Sequence, residues 1–258
     1  MQHFDLIILG AGPAGITAAL TAARHQLSVA LFDENPAAGG QVYRAPAFRV
    51  AGKSRNDLKD GGHLRKQLAD SPVSLFMGHQ VWSVTGDFRV DALGPSGPVH
   101  CTSRLLLVAS GTTERVVPFE GWTLPGVIGL AAATLLLKSQ QTLPGKRTLV
   151  AGCGPLLVAV AGGTLKAGGN VAAIADIAGK GSWARVLPAM VRRPDILRQS
   201  AGYGLPILRA AIPLYSRHTL VRATEQDGQL LAELAPCDAA GRPVSGPRKK
   251  ILVDCITV

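Results

Sequence analysis

A chain of 258 residues has room for one large domain or two of ordinary size. Its 47% hydrophobic content, mean hydropathy of +0.23 and scarcity of aromatics favour parallel sheets covered by helices and argue against a β-sandwich. A formal charge of +10 could meet nucleic acid, an acidic protein or anionic lipid, but no nucleic-acid motif or aromatic interleaving supports the first, so no nucleic-acid partner is expected.

Phe4 to Gly15, FDLIILGAGPAG, reads as a short buried strand running into a glycine-rich turn and a helix. Gly10, Gly12 and Gly15 fall on the G-x-G-x-x-G spacing. Gly10 allows a tight turn out of the strand, Gly12 lets a pyrophosphate approach the backbone, and Gly15 lets the helix pack close to the strand. Pro13, followed by Ala14, sits where a helix begins and where an N–H would be unpaired anyway. The free N–H groups and the positive helix end then face an anion. Ile16 to Arg24 continues the helix. A second apolar run, Leu27 to Phe32, ends in Asp33-Glu34, roughly 20 residues beyond the glycines, where a ribose hydroxyl needs an acceptor. Asn35 to Arg44, NPAAGGQVYR, is a loop whose Gly39 and Gly40 let backbone approach a bulky ligand.

Ser54 to Asp70 is polar, with Leu58, Leu64 and Leu68 spaced like one helix face. Val73–Phe76, Gln80–Thr85, Phe88–Leu93 and Val99–Ser103 are short runs broken by Gly86-Asp87 and by Gly94 to Pro98, and predict a small antiparallel meander. Arg104 to Gly111, RLLLVASG, is a continuous apolar run that predicts a buried parallel strand ending near the first turn. Thr112 to Val127, with its prolines and glycines, reads as an extended connector, and Val127 to Lys138 as an apolar helix.

The first pattern then repeats. Arg147 to Ala151 predicts a strand, Gly152-Cys153-Gly154-Pro155 a turn, Leu156 to Lys166 a helix and Asn170 to Ala175 a strand, with Asp176 at its end. The third glycine is replaced by Leu157, whose branched side chain should hold helix and strand apart and crowd a dinucleotide. Trp183 to Ile212 is mixed helical and basic, and between Lys180 and Arg222 the only acid is Asp195, which reads as a solvated or subunit-facing surface. Arg217–Ala223 and Gln229–Ala235 predict strands joined at Asp227-Gly228, and Ile251 to Val258 a further apolar strand. The expected domains are 1–118, a connector and helix over 119–145, and 146–258.

Cys101, Cys153, Cys237 and Cys255 form no C-x-x-C pair and have no metal-ligand spacing, which predicts incidental thiols, no metal and a cytoplasmic protein. The start lacks the basic n-region and cleavage site of a signal peptide. Thr148 to Leu165 is uncharged and of spanning length, but its Gly-Cys-Gly-Pro makes it a strand, turn and helix and predicts no membrane span. The six histidines are scattered, and no catalytic acid or base is named by the sequence.

GAGPAG, Asp33-Glu34, GGQVYR at Gly39–Arg44 and VASG at Val108–Gly111 make the chain resemble the flavoproteins with two dinucleotide-binding domains, the class of thioredoxin and lipoamide reductases. ERVVPFEGWTLPGV at Glu114–Val127 and VAGCGPLLVAVAGGTLKAG at Val150–Gly168 make it more closely similar to the alpha subunits of opine oxidases and D-hydroxyproline dehydrogenases and to the B subunit of hydrogen cyanide synthase. The resemblance covers essentially the whole chain. It implies two Rossmann-like α/β domains of three layers and FAD in the first. FAD would lie over Gly10, Gly12, Pro13, Ala14 and Gly15, with its ribose on Asp33 or Glu34. Gly40, Gln41, Ser110 and Gly111 would lie near the rest of the cofactor, and Val81 would meet adenine through its backbone. Gly152, Gly154 and Asp176 mark the second nucleotide turn, where Leu157 disfavours NAD(P).

Two departures matter. Gln41 to Arg44 stands where lipoamide-type enzymes carry cysteine, so disulfide reduction is disfavoured, because flavin electrons need a thiolate pair to reach a disulfide. The resemblance also implies a segment returning to the FAD domain, and in closer relatives a cysteine cluster of iron–sulfur type; the chain ends at Val258 before either. The first expectation is therefore an FAD-dependent oxidoreductase subunit that oxidises an amino acid, imino acid or opine-type amine with a partner flavoprotein subunit. The alternatives are an NAD(P)H-dependent flavin reductase and a non-catalytic interaction subunit on a nucleotide-binding scaffold.

Overall fold

The computed structural model describes residues 1–44, 56–179, 181–182 and 192–258, which form two compact units, Met1–Thr113 and Glu114–Val258. Ser54, Arg55, Lys180 and Trp183–Val191, for which a helix start or a basic surface is expected, lie outside the described residues.

The first unit runs β1 (Gln2–Leu9), α1 (Pro13–Arg24), β2 (Val29–Asp33), α2 (Asn56–Ala69), β3 (Ser74–Met77), β4 (Gln80–Val84), β5 (Arg89–Gly94) and β6 (Gly97–Val108). These strands make one sheet in the order β3-β2-β1-β6-β5-β4. From β3 to β6 neighbours are parallel; β6, β5 and β4 pair antiparallel. The parallel strand expected from Arg104 and the last meander run are thus a single strand. Gln2↔Cys101 to Leu9↔Val108 pair it with β1, while only Gly97 to Thr102 pair with β5 on its other edge. The first expected meander run joins the parallel side as β3, so the meander proper is β4-β5-β6.

Each face of this sheet is covered. Leu6, Ile8 and Leu31 pack with Ile16 and Ala19 of α1 and Leu68 of α2. Ile7, Ala30 and Phe32 pack on the other side with Val90, Ala92 and Cys101. Phe32 and Phe76 stack there with centroids 4.4 Å apart, an arrangement that adds to their area burial. The apolar runs of β1 and β2 are buried because both of their faces are covered. The Leu105–Val108 end of β6, expected to be buried, is instead largely exposed, Leu105 at 59% and Val108 at 67%, although it pairs with β1 along one edge.

The second unit runs β7 (Val127–Ile128), α3 (Leu130–Leu135) continued by a π-helical turn (Leu136–Gln140), β8 (Arg147–Gly152), α4 (Pro155–Lys166), β9 (Asn170–Asp176), α5 (Pro194–Arg209), β10 (Leu214–Ser216), β11 (His218–Gln226), β12 (Gln229–Pro236), β13 (Lys249–Val253) and β14 (Cys255–Thr257). The expected connector and helix, 119–145, belong to this unit, since Val127 and Ile128 pair with β14. Its parallel sheet has the order β10-β9-β8-β14-β7, and β11-β12-β13 form an antiparallel sheet. Asp227 and Gly228 turn the β11–β12 hairpin with φ of 52° and 75°, the left-handed pair that matches strand twist.

The parallel sheet is the middle layer. Val150, Val171 and Ile174 face Leu130, Leu157, Val160 and Ala161, whereas Leu149, Ala173 and Ala175 face Leu230, Leu234 and Val253 of the antiparallel sheet. The apolar run from Ile251 is two strands in two sheets. The break is Asp254, whose carboxylate accepts the N–H groups of Lys146 (2.9 Å) and Arg147 (2.8 Å). Thr148 to Leu165 resolves into strand, turn and helix. No helix among the described residues is long and apolar enough to cross a membrane.

Candidate nucleotide site

In the first unit β1 ends at Leu9, and three residues turn the chain into α1. Gly10 has φ +105°, and its N–H donates to the Phe32 carbonyl at 2.7 Å. A Cβ on Gly10 would overlap the Ala109 carbonyl, and one on Gly15 would overlap the Gly10 carbonyl oxygen. Both glycines are therefore required by backbone contact. Gly12 is the opposite case: a Cβ there would meet nothing within 4 Å. That open side is where a ligand could touch backbone. Gly12 caps α1 without a side-chain bond, Pro13 follows it, and Ala14 is exposed. The first helical turn leaves N–H groups without intrahelical acceptors, and the helix dipole adds partial positive charge.

The remaining parts converge on Ala11. Asp33 Oδ2 accepts the Ala11 N–H at 2.7 Å, while its Oδ1 accepts the Asn35 N–H (2.8 Å) and Asn35 Nδ2 (2.9 Å). Arg44 Nη2 donates to Asn35 Oδ1 at 2.9 Å. Glu34 is exposed and half a strand period away, so Asp33 is the acid aimed at the turn. The Gly39 N–H donates to the Ala11 carbonyl at 2.7 Å, and a Cβ on Gly40 would stand 2.9 Å from Gly12 Cα. Gln41 is exposed at the margin. Ala109 N–H donates to Leu9 O at 2.7 Å, which lays exposed Ser110 and Gly111 beside the end of β1.

Val81 is half-buried on β4 against the Phe32 cluster. The turn before it reaches the acid, since His79 N–H donates to the Asp33 carbonyl (2.9 Å) and Gly78 N–H to the Asn35 carbonyl (3.0 Å). The sequence pattern did not single out Asn35 or His79; their roles arise from contacts between the ends of β2 and β3, which no local motif records.

The second turn is built differently. Gly154 caps α4 with φ +82°, and a Cβ on it would meet nothing within 4 Å. A Cβ on Gly152 would meet only side chains, Leu130 at 3.2 Å and Leu157 at 3.8 Å. Leu157 is 1% exposed and fills the space between α4 and the sheet. Its side chain is part of the core cluster with Leu130, Val150 and Val160. Asp176 is 1% exposed, and its Oδ1 accepts the Ala178 N–H at 2.9 Å.

Other reactive groups lie elsewhere. The four cysteines are free, with Cys153 exposed and the others buried. Burial pushes the Cys255 thiol up to about 12, with Asp254 adding to the effect. Among the described residues no cluster of three metal-ligating side chains occurs. His100 Nδ1 and Arg89 Nε meet buried Asp91 Oδ1 at 2.6 and 2.9 Å. The His100 hydrogen bond, then Arg89, holds the Asp91 carboxyl below the usual value. Cys101, next to His100, pairs with Gln2 at the start of β1, so this trio sits at the opposite end of the strands from the glycine turn.

Two glycine turns, each at the carboxyl end of a central parallel strand and leading into a helix, define a dinucleotide-binding fold. The chain belongs to the pyridine nucleotide-disulphide oxidoreductase family, whose model matches residues 4–180. It is 32% identical over 224 residues to the A subunit of opine oxidase from Rhizobium meliloti (strain 1021), covering 84% of this chain and 49% of that protein. It is 34% identical over 254 residues to hydrogen cyanide synthase subunit HcnB of Pseudomonas aeruginosa, covering 92% of this chain and 52% of that protein. The chain spans about half the length of these curated relatives. Among solved structures it matches the bacillithiol disulfide reductase of Bacillus cereus with a TM-score of 0.68 at 16% identity, over 99% of this chain and 77% of that one. That likeness is one of fold.

Proposed function

We propose that the first unit holds FAD, with its pyrophosphate over Gly10–Gly15, and that the chain is the flavin-bearing part of a cytoplasmic oxidoreductase that oxidises a small amine, amino acid, imino acid or opine with a partner subunit. The observation that carries this reading is the cradle itself. Gly10, Gly15, Gly39 and Gly40 are closed by backbone, while the Gly12 side is open toward the start of α1. Such a surface fits an extended anion that contacts backbone. Bound FAD would supply the two-electron chemistry; the protein's residues position it and tune its surroundings. The substrate class rests on the relatives, which are named as subunits of opine oxidase and hydrogen cyanide synthase. No cysteine pair accompanies the turn, so the disulfide chemistry in the family's name has no thiols to use here.

The test is a spectrum. Purified protein given FAD and desalted should retain flavin absorbance near the visible maximum, and Gly12→Val should abolish it. A colourless protein would leave the non-catalytic scaffold reading. The open space at Gly154 favours one further reading, an NAD(P)H-dependent flavin reductase. FAD-loaded protein that turns over NADH and ignores every amino acid, imino acid and opine offered would overturn the amine reading in its favour.

A further inference from the structure

The loop that closes the first cradle has little of its own to hold it in place. Gly39 and Gly40 have φ of +133° and +55°, conformations that glycine enters at high entropic cost. Besides the Gly39–Ala11 and Arg44–Asn35 bonds, this loop is held from α2. Half-buried Arg65 donates Nη1 to the Tyr43 carbonyl at 2.8 Å and to the Ala38 carbonyl at 3.2 Å, bracketing both ends of the loop. The Tyr43 N–H donates back to Gly39 O at 3.0 Å. Space for the guanidinium is made by two glycines, since a Cβ on Gly39 or Gly61 would stand 3.0 or 3.2 Å from Nη1. From this loop the connection to the turn is direct: Gly39 N–H to Ala11 O, and Gly40 against Gly12.

We propose that Arg65 is the positioning residue of the pyrophosphate site: its guanidinium clamps residues 38–43 against the glycine turn and so sets the affinity for FAD. This rests on the reading of the first unit as the FAD site. Arg65 acts through the loop. A guanidinium suits the task because it offers several fixed donors and keeps its charge when partly desolvated, and charge-assisted bonds to carbonyls are stronger than neutral ones. A lysine keeps the charge but not the geometry.

Two measurements on the full chain test it. In flavin-free protein, Arg65→Met should speed amide exchange at Gly39 and Tyr43 at least about tenfold and leave Gly10, whose N–H is held by β2, unchanged. In FAD titrations the same variant should raise the Kd by roughly ten- to a hundredfold, and Arg65→Lys should recover part of the loss. Val90→Ala serves as the control, a buried change in the same unit on the opposite face of the sheet. It lowers stability and should leave FAD affinity where it was. Should Arg65→Met bind FAD no worse than Val90→Ala, or exchange its loop amides at the wild-type rate, the proposal is overturned. Wild-type protein that takes up no FAD overturns the cofactor reading instead, and the exchange rates then still decide whether Arg65 holds the loop.

Discussion

The two glycine turns have one sequence pattern and two constructions. In the first, backbone touches backbone: Gly15 lies on the Gly10 carbonyl, and Gly10 lies on Ala109. The helix is drawn down to the strand, and the one open side faces outward at Gly12. In the second, a leucine takes the place of the third glycine, and its side chain is buried among Leu130, Val150, Val160 and Ile174. The terminal acids differ in the same sense. Asp33 faces its own turn through Ala11, whereas Asp176 is sealed and bonds forward to Ala178. Each turn keeps its middle glycine open, Gly12 and Gly154; the difference lies at the third position, which serves backbone contact in the first and side-chain packing in the second.

Exchanging the third position breaks the comparison most sharply. Gly15→Leu places a side chain on the Gly10 carbonyl oxygen and should unfold the first unit or cost it more than about 3 kcal/mol in denaturant titration, with all flavin retention lost. The converse change, Leu157→Ala, should cost the second unit about 2–5 kcal/mol through its cavity and leave FAD affinity as it was. Equal losses of flavin in both variants would refute the division of roles.

The acids come next. Asp33→Ala removes the acceptor for three N–H donors and should weaken FAD about ten- to a hundredfold by fluorescence titration. Asp176→Ala should appear as about 1–3 kcal/mol of lost stability, with the flavin Kd within about twofold of wild type. Acid separates the units further. Asp91 in the first and Glu233 in the second have lowered pKa values, Asp91 through His100 and Arg89, Glu233 through Lys250 and Arg248. A carboxylate lowered in the folded state adds stability above its unfolded value and gives it up as pH falls through the folded one. The loss therefore lies at and below the ordinary values of 3.8 for aspartate and 4.5 for glutamate. Asp91→Asn and Glu233→Gln should each flatten the acid limb of melting for one unit only. The smallest effects belong to exposed Glu34 and Cys153: Glu34→Gln and Cys153→Ser should stay within about 0.5 kcal/mol of wild type.

Much of the fold can be read from local pattern. Strand, turn and helix follow from the apolar run, the glycines and the alanine-rich stretch, twice over, and the β11–β12 hairpin follows from Asp-Gly. What escapes local reading is a change of partner. Arg104–Val108 extends the strand that begins in the meander, because β6 keeps β1 on one edge and loses β5 on the other. Val253 and Cys255 lie in different sheets, although nothing but Asp254 interrupts the apolar run. At the site the glycines and Asp33 are legible, since their spacing carries the chemistry. Asn35, His79 and Arg65 are not, since each acts through a contact between elements that only the folded chain brings together.

The position of β14 has a consequence for how the chain is made. Cys255–Thr257 is inserted between β8 and β7, and among the described residues it is the only strand that β7 pairs with. The second sheet therefore cannot close during synthesis until these residues have left the ribosome. Until then the N–H and C=O groups on that edge of β8 lack their strand partner, whereas the described strands of the first unit all come earlier in the chain. Slow closure of this kind calls for protection of the nascent chain, and ribosome-stalled chains released before Cys255 should be cleaved by protease in the second unit while the first resists.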